Sequence, residues 1–363
     1  MRGTEDYLII EEENGRMEAT VAKINSKEKE IRIAKKFDAK NAKKLGRFSV
    51  MNFNKIIFAL SSAHASTIQD SFKIKTPSRS ESITEAELEN MVFKAFWEFL
   101  NKYRSVTAKK FNVTDVSLVL TDIQATGVKI DSHNLFNPVD FRGNEVEFTL
   151  RGTFITREFY HDIVEVAKKG SLSVVEKGSV LTSLLVENES VLADVGDYKT
   201  DIFYKKGDSE MFVDEISWGT HKLKEGVSEE FGVDYETAEK LISLYSEGGA
   251  SEMINKHFKK ALNEEFLKLI SGVKTKRKKV FLYFDSMTVR REILPKENGV
   301  ELFRFDEDLS RRNFRVSADE NVSFDSFRNQ STLALLFYSY ADPRYDVLNA
   351  MLRRRAGWLV SNF

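Results

Sequence analysis

The sequence predicts a mixed α/β fold, built either as two domains or as one domain carrying a large insertion. Three observations predict it. Short apolar or alternating segments of strand length recur from Tyr7 to Phe284. Amphipathic stretches with helical spacing interrupt them, the clearest behind Thr84. The chain has 363 residues, 42% of them hydrophobic, which exceeds one small domain and supplies a substantial core.

The elements follow in order. Tyr7–Ile10 is a continuous apolar run suited to a buried strand. Glu13-Asn14-Gly15 has turn chemistry, and Met17–Ile24 alternates as a hairpin partner. Glu30–Lys35 alternates again, Asn54–Leu60 reads as a buried strand, and Ser66–Lys75 as another. After the polar loop Thr76–Ser80, Thr84 and Glu87 form a capping box, in which hydroxyl and carboxylate each bond a free N–H at the helix start. Leu88, Met91, Val92, Ala95, Phe96, Phe99 and Leu100 then trace one helix face, a core stripe. Val116–Leu120 and Glu145–Arg151 are strands, and Phe159, Ile163, Val164 and Ala167 mark a helix.

Val191–Gly196, Thr200–Tyr204 and Glu210–Ile216 read as a three-stranded meander. Ser217-Trp218-Gly219-Thr220 opens a helix, and a second begins near Asp234 with Ala238, Leu241, Ile242 and Tyr245 on one side. Val280–Phe284 is a buried strand whose basic approach, Lys274–Lys279, reads as a solvated loop. Ser331–Ala341 is a late apolar helix.

Composition removes several chemistries. With 55 Lys and Arg against 56 Asp and Glu, the chain lacks the basic excess of a nucleic-acid binder. It has no Cys, which excludes disulfides, thiolate metal sites and Cys nucleophiles. No apolar window is long enough to span a membrane, and the acidic N-terminus is unlike a secretory leader, so the expected location is cytoplasmic. Serine-hydrolase, zincin and Walker-type motifs are missing. The acids Glu11–Glu13 and Asp306/Asp308 read as solvated loop charges, and His64, His161 and His257 as helix or surface residues.

Two stretches resemble the FtsA/PilM group of bacterial actin-like proteins. Asp194-Val195-Gly196-Asp197-Tyr198-Lys199-Thr200-Asp201-Ile202, then Ser217-Trp218-Gly219-Thr220 and Phe231–Leu241, is similar to that group's second phosphate hairpin (D-I-G-G-G-T-T-D-I), its following Gly turn and its next helix. Asn137–Glu147 is similar to the N-P-x-G-x-x-G turn that leads into a strand of the inserted subdomain of FtsA. The resemblance implies an actin-like (ribonuclease H-like) fold of two lobes. Residues 1–75 would begin the first lobe, 76–168 form the inserted α+β subdomain, 169–342 complete the core with the second lobe, and 343–363 form a C-terminal amphipathic helix.

On this resemblance Asp194, Gly196, Thr200 and Asp201 would be the phosphate-hairpin residues, Asp194 and Asp201 lying toward a magnesium ion. Two glycines of the hairpin pattern are replaced, by Asp197 and Tyr198 or by Tyr198 and Lys199. The first phosphate turn reads Glu11-Glu12-Glu13-Asn14-Gly15, and the adenosine turn Asp285-Ser286-Met287. Side chains and like charge in a phosphate cradle oppose binding. The expectation is therefore a vestigial nucleotide site without an ATP or Mg cofactor, in a binding scaffold rather than an enzyme. A diverged Mg-dependent ATPase is the alternative.

The resemblance implies a cell-division adaptor with a tubulin-like FtsZ filament as partner, or a pilus-assembly protein on an inner-membrane platform. Self-association into oligomers or filaments also follows from it. At the C-terminus, Leu348, Met351, Leu352, Trp358, Leu359 and Phe363 fall on a helical stripe beside Arg353, Arg354 and Arg355. A basic amphipathic helix of this kind suits an anionic membrane surface, and FtsA ends in one; a last core helix is the alternative reading.

Overall fold

The computed structural model describes residues 4–13, 16–25, 27–39, 53–77, 80–164, 171–246, 252–273, 279–284, 299–303, 315–319, 330–339 and 345–361. From the N-terminus the elements are β1 (Thr4–Glu13), β2 (Arg16–Asn25), β3 (Glu30–Ala39), β4 (Lys55–Leu60), β5 (Ala65–Lys75) and α1 (Glu85–Lys110). They continue with β6 (Leu118–Ile130), β7 (His133–Leu135), β8 (Glu145–Thr156), α2 (Arg157–Val164), β9 (Ser171–Glu176) and α3 (Lys177–Ser183). Next come β10 (Glu189–Val195), β11 (Thr200–Lys206), β12 (Ser209–Ile216), α4 (Thr220–Phe231), α5 (Tyr235–Ser246) and α6 (Glu252–Val273). The last are β13 (Lys279–Phe284), β14 (Val300–Leu302), β15 (Arg315–Ala318), α7 (Gln330–Ser339) and α8 (Asp346–Ser361).

The strands make two sheets, ordered β15-β3-β2-β1-β4-β9 and β14-β13-β10-β11-β12-β5-β8-β6-β7. One motif appears in both. In the first sheet β1 pairs antiparallel with β2 and β2 with β3, while β1–β4 and β4–β9 are parallel. In the second, β10–β11 and β11–β12 are antiparallel, while β10–β13 and β13–β14 are parallel. Each half is therefore an antiparallel meander with two parallel strands added beside its first strand. Two such halves in one chain constitute the actin-like, ribonuclease H-like architecture.

Side-chain parity decides which way each sheet faces. Tyr7 and Ile9 point into a core shared with Leu192, Phe203, Phe281 and Tyr283 of the other lobe, and α3 and α7 fill the space between. Leu8 and Ile10 point to the opposite side, packing with Phe53, Phe58 and Ile163. On the second lobe, Val191, Ala193, Val195 and Ile202 pack outward on α4, α5 and α6. Residues 177–182 of α3 and 331–336 of α7 are thus buried. A Cβ at Gly178 in α3 would lie 2.1 Å from the Phe203 ring, so only a hydrogen fits between α3 and β11.

The third unit places α1 across β5, β8 and β6. The capping box at Thr84 and Glu87 is present, and the stripe from Leu88 to Leu100 is buried with Phe72, Phe148 and Phe154. Its sheet begins at β5, so the chain leaves the first sheet at residues 61–64, ahead of the boundary expected at 75/76. The segment expected as a strand at Val116–Leu120 opens with a 3-10 turn, Asp115–Ser117, and the strand proper runs on to Ile130. In the Asn137-Pro138 turn, Asp140 has φ +68° at the position where the FtsA pattern has glycine. Its N–H donates to the Ile83 carbonyl, and the Ile83 N–H to that of Phe141, which ties this turn to the start of α1.

The C-terminal helix belongs to this unit as well. Leu348, Met351 and Leu352 are buried on α1 and β6, three of the nine residues expected to meet a membrane. Asn349 Oδ1 accepts from the Ala125 N–H at 2.7 Å, and Arg355 lies over the Phe93 ring. The apolar stripe that suggested an interface with lipid is met by the protein's own core, because helix spacing marks a face for burial without naming what covers it. Arg353 and Arg354 remain exposed. Trp358 and Leu359 continue the helix, with side chains outside the described set, and Phe363 lies outside the described residues. Among the described residues no helix is long and apolar enough to cross a membrane.

Candidate functional site

In this architecture the end of β1 and the β10–β11 turn lie near each other: His64, bonded to Glu12, feels the charge of Lys199. Asp194 lies directly opposite Asp201 on neighbouring antiparallel strands, so both leave the same sheet face. That face is the interlobe one, because Leu192 and Phe203, two residues away in each strand, point into the shared core. The sequence pattern therefore brings these two acids together. Thr200 goes the other way. It is fully buried, and its hydroxyl donates to the Trp218 carbonyl at 2.7 Å, a structural bond that fixes the Gly219 turn.

Gly196 sits in the hairpin turn. Its N–H donates to the Lys199 carbonyl at 2.9 Å. Its carbonyl accepts from the Thr220 N–H, and that of Asp197 from the His221 N–H, both at 3.0 Å. The first N–H groups of α4, which would otherwise point at an anion, are thereby satisfied by the hairpin itself. Asp197 Oδ1 also accepts from the Thr220 hydroxyl at 3.0 Å. The close approach requires glycine at 219: a Cβ there would meet Asp197 O at 2.3 Å and Tyr198 N at 2.5 Å. Tyr198, at the tip, is 72% exposed with its ring beside His221.

From the first lobe come Glu11 and Glu12. Both are buried, which overturns the expectation of solvated loop acids. The strand extends to Glu13, three residues past the apolar run, and carries them inside. Glu11 accepts from the Thr332 hydroxyl of α7. Burial raises its pKa, against attraction from Lys177. Glu12 accepts from the Ser61 N–H and hydroxyl at 3.1 Å each and from His64 Nδ1 at 2.9 Å. Burial pushes Glu12 up, but the His64 and Ser61 hydrogen bonds prevail and hold it below the ordinary value, while the Glu12 bond raises His64. His64 is stacked on Phe159, with centroids 4.8 Å apart.

Two residues that the sequence reading passed over complete the site. Glu176, at the end of β9, has no exposed surface. It accepts from the Thr67 N–H at 2.8 Å and from Lys110 Nζ at 3.0 Å, and its own N–H donates to Thr67 Oγ1 at 2.8 Å. Burial raises its pKa, Lys110 opposes this, and nearby Asp201 adds to it. Lys110, at the end of α1, also lies 4.0 Å from the Phe212 ring centre. Asp201 accepts from the Ser62 hydroxyl and pairs with Lys199 at 3.5 Å; Lys199 in turn pairs with Glu215 at 2.5 Å. No local motif announces Glu176 or Lys110. A half-buried lysine 66 positions from its partner is visible only once the sheets are assembled.

The site is thus a convergence of acids from both lobes, neutralised by lysines, a histidine and hydroxyls of the same chain. Among the described residues no group of three or more His, Cys, Asp or Glu is arranged to hold a metal ion. The expected adenosine turn, residues 285–287, lies outside the described residues.

The sequence matches no protein-family model and no curated protein. Among solved structures the chain is similar to the PilM-PilN type IV pilus biogenesis complex, at 13% identity and TM-score 0.40 with 98% of each chain covered. It is similar to the cytoplasmic domain of EpsL, an inner-membrane component of the type II secretion system of Vibrio cholerae, at 10% identity and TM-score 0.36, covering 92% of this chain and 95% of that one. A Bacteroides thetaiotaomicron protein with an actin-like ATPase fold and unknown function shares 8% identity at TM-score 0.39, covering 92% and 96%. Strand order and register, repeated in both halves, make this chain actin-like in fold.

Proposed function

We propose that this protein is an actin-fold adaptor that works without nucleotide, joining protein partners of a membrane-associated assembly. One observation carries the proposal. The end of β1 and the β10–β11 turn, where the family pattern has its phosphate turns, are engaged with the chain's own groups: Glu11, Glu12 and Asp201 take protein donors, and the Gly196–Lys199 turn closes on the start of α4. A triphosphate would bring several negative charges against buried carboxylates and displace backbone contacts at Gly219. The residues present do not fit it.

Calorimetric titration with Mg-ATP tests this directly. Heats too small for micromolar affinity are expected, and a micromolar isotherm overturns the proposal. The placement of Asp194 opposite Asp201 favours one second reading, a diverged Mg-dependent ATPase. Phosphate release that is present in wild type and lost in Asp194→Ala would establish it instead.

The partners belong to this reading through the resemblance to FtsA and PilM: an FtsZ-like filament for division, or an inner-membrane pilus protein. Purified candidates of each kind, immobilised and titrated with the full chain, separate the two. A peripheral position on an anionic membrane would use the exposed Arg353 and Arg354, since Leu348, Met351 and Leu352 are already buried. Co-sedimentation with anionic vesicles should then fall in Arg353→Glu/Arg354→Glu, and equal pelleting removes the membrane from the proposal.

A further inference from the structure

Resting on the nucleotide-free reading above, we infer that a bolt made of the chain's own side chains holds the two lobes together, doing mechanically what a bound ligand does in a two-lobed cleft. The third unit is its frame. Lys110 Nζ donates to Glu176 at 3.0 Å and to the Ala65 carbonyl at 3.3 Å, while its charge lies over Phe212 of β12. One side chain therefore bridges the first lobe, the third unit and the second lobe. Beside it the Ser62 hydroxyl, at the β4–β5 turn, donates to Asp201 of β11.

The bolt continues along a seam between sheets. Gln69 of β5 pairs with Glu210 of β12, which makes one nine-stranded sheet of the second lobe and the third unit. That backbone join spans a single residue pair, so side chains carry the rest. Gln69 Nε2 donates to the Asp208 carbonyl at 2.8 Å, the Ser209 hydroxyl to Asp70 at 2.8 Å, and Lys129 to Asp208 at 2.6 Å. Swinging the second lobe away from the first lobe and the third unit would break the Ser62–Asp201 bond and the whole seam to Asp208 and Ser209, and would lift the Lys110 charge off Phe212 while Glu176 kept Lys110 and Thr67. Bonds to charged groups in a low-dielectric seam are costly to lose. The lobes of this protein are consequently set in one arrangement whether or not a ligand is offered.

The chain has no cysteine, so paired spin labels can be placed cleanly. Lys27→Cys in the first lobe and Glu229→Cys in the second are both exposed. The wild-type background should give one narrow distance distribution, unchanged by millimolar Mg-ATP. Lys110→Met combined with Ser62→Ala should broaden or lengthen it, and Lys110→Arg with Ser62 intact should restore it. A narrow, unmoved distribution in Lys110→Met/Ser62→Ala overturns the bolt and leaves the nucleotide-free reading standing. A wild-type shift with Mg-ATP, together with a micromolar isotherm, overturns that reading instead. Hydrogen exchange on the unaltered chain covers the case in which the double variant does not fold. Amides of Ile68, Gln69 and Met211 should then exchange within about ten-fold of the slowest amides in β10. Exchange far ahead of β10 means the seam opens by itself and overturns the bolt.

Discussion

Gly219→Ala tests the closure of the hairpin on α4. Gly219 has extended backbone angles, φ −151° and ψ −178°, so alanine meets no conformational strain there. The whole effect is steric. The new methyl would sit 2.3 Å from Asp197 O, 2.4 Å from Asp197 C and 2.5 Å from Tyr198 N, about 1 Å inside ordinary contact distance. All three atoms are backbone, so no side chain can swing aside and the hairpin has to retreat. Overpacking of this kind costs about 1–3 kcal/mol. Retreat also weakens the Thr220 and His221 N–H bonds to Gly196 and Asp197, at about 1 kcal/mol each. The expected loss is about 2–5 kcal/mol, read from urea unfolding followed by tryptophan fluorescence and circular dichroism. Gly226→Ala, within α4, is the control: its methyl meets the flexible Glu265 Cγ at 3.2 Å, and helix propensity favours alanine by about 1 kcal/mol. A Gly219→Ala loss below about 1 kcal/mol, within the range of a surface change, would refute the hairpin closure.

Three further outcomes follow from the same geometry. Lys110→Met leaves Glu176 buried without its cation and should cost about 3–5 kcal/mol in urea unfolding; Lys110→Met/Glu176→Gln should cost less, and equal losses would show that the pair is not coupled. The Glu12–His64 pair should make stability pH-dependent. The raised pKa of His64 gives a contribution that is full below its ordinary 6.5 and lost as pH rises through the folded value; the lowered pKa of Glu12 gives one present above 4.5 and lost as pH falls through its folded value. The wild-type advantage over His64→Gln should therefore be largest between those two ordinary values and shrink toward pH 9, at about 1 kcal/mol or less because His64 is partly exposed; an advantage that grows with pH contradicts the pairing. Asp140→Gly should raise stability by about 0.5–1 kcal/mol, since φ +68° costs a side chain but not glycine; a loss measured by thermal unfolding would mean that the Asp140 side chain holds the turn.

Local order was legible where one segment carries its own instructions. The Thr84 capping box and the seven-residue stripe behind it needed only hydrogen-bond chemistry and helical spacing, and both are present. The meander from Val191 to Ile216 was readable from turn residues and alternation, with bounds shifted by up to two residues. That Asp194 and Asp201 share one face depends on the cross-strand register, which the structure supplies. The Asn137-Pro138 segment was readable as a turn leading into a strand, while the left-handed backbone of Asp140 within it shows only in the structure.

Other features had no local signature. Nothing local marks α3, because Lys177–Ser183 carries only two large apolar side chains, the adjacent Val180 and Leu181, and buries its polar residues as well, so no apolar stripe of helical spacing appears. Glu11 and Glu12 looked like loop acids, since nothing in three consecutive carboxylates announces a Thr332 hydroxyl over three hundred positions away. The C-terminal stripe was expected to meet a membrane, with a last core helix as the alternative; its cover at Leu348, Met351 and Leu352, α1 and β6, comes from distant chain.

The sequence by itself determined those elements that carry their own periodicity and turn residues, such as α1 and the meander from β10 to β12, because these depend on neighbours a few residues apart. Tertiary structure alone decided that the buried acids would find partners across the lobes, and that Lys110 would reach three units at once. Burial and charge pairing depend on distances in space, and these exist only after the two sheets have closed on α3 and α7.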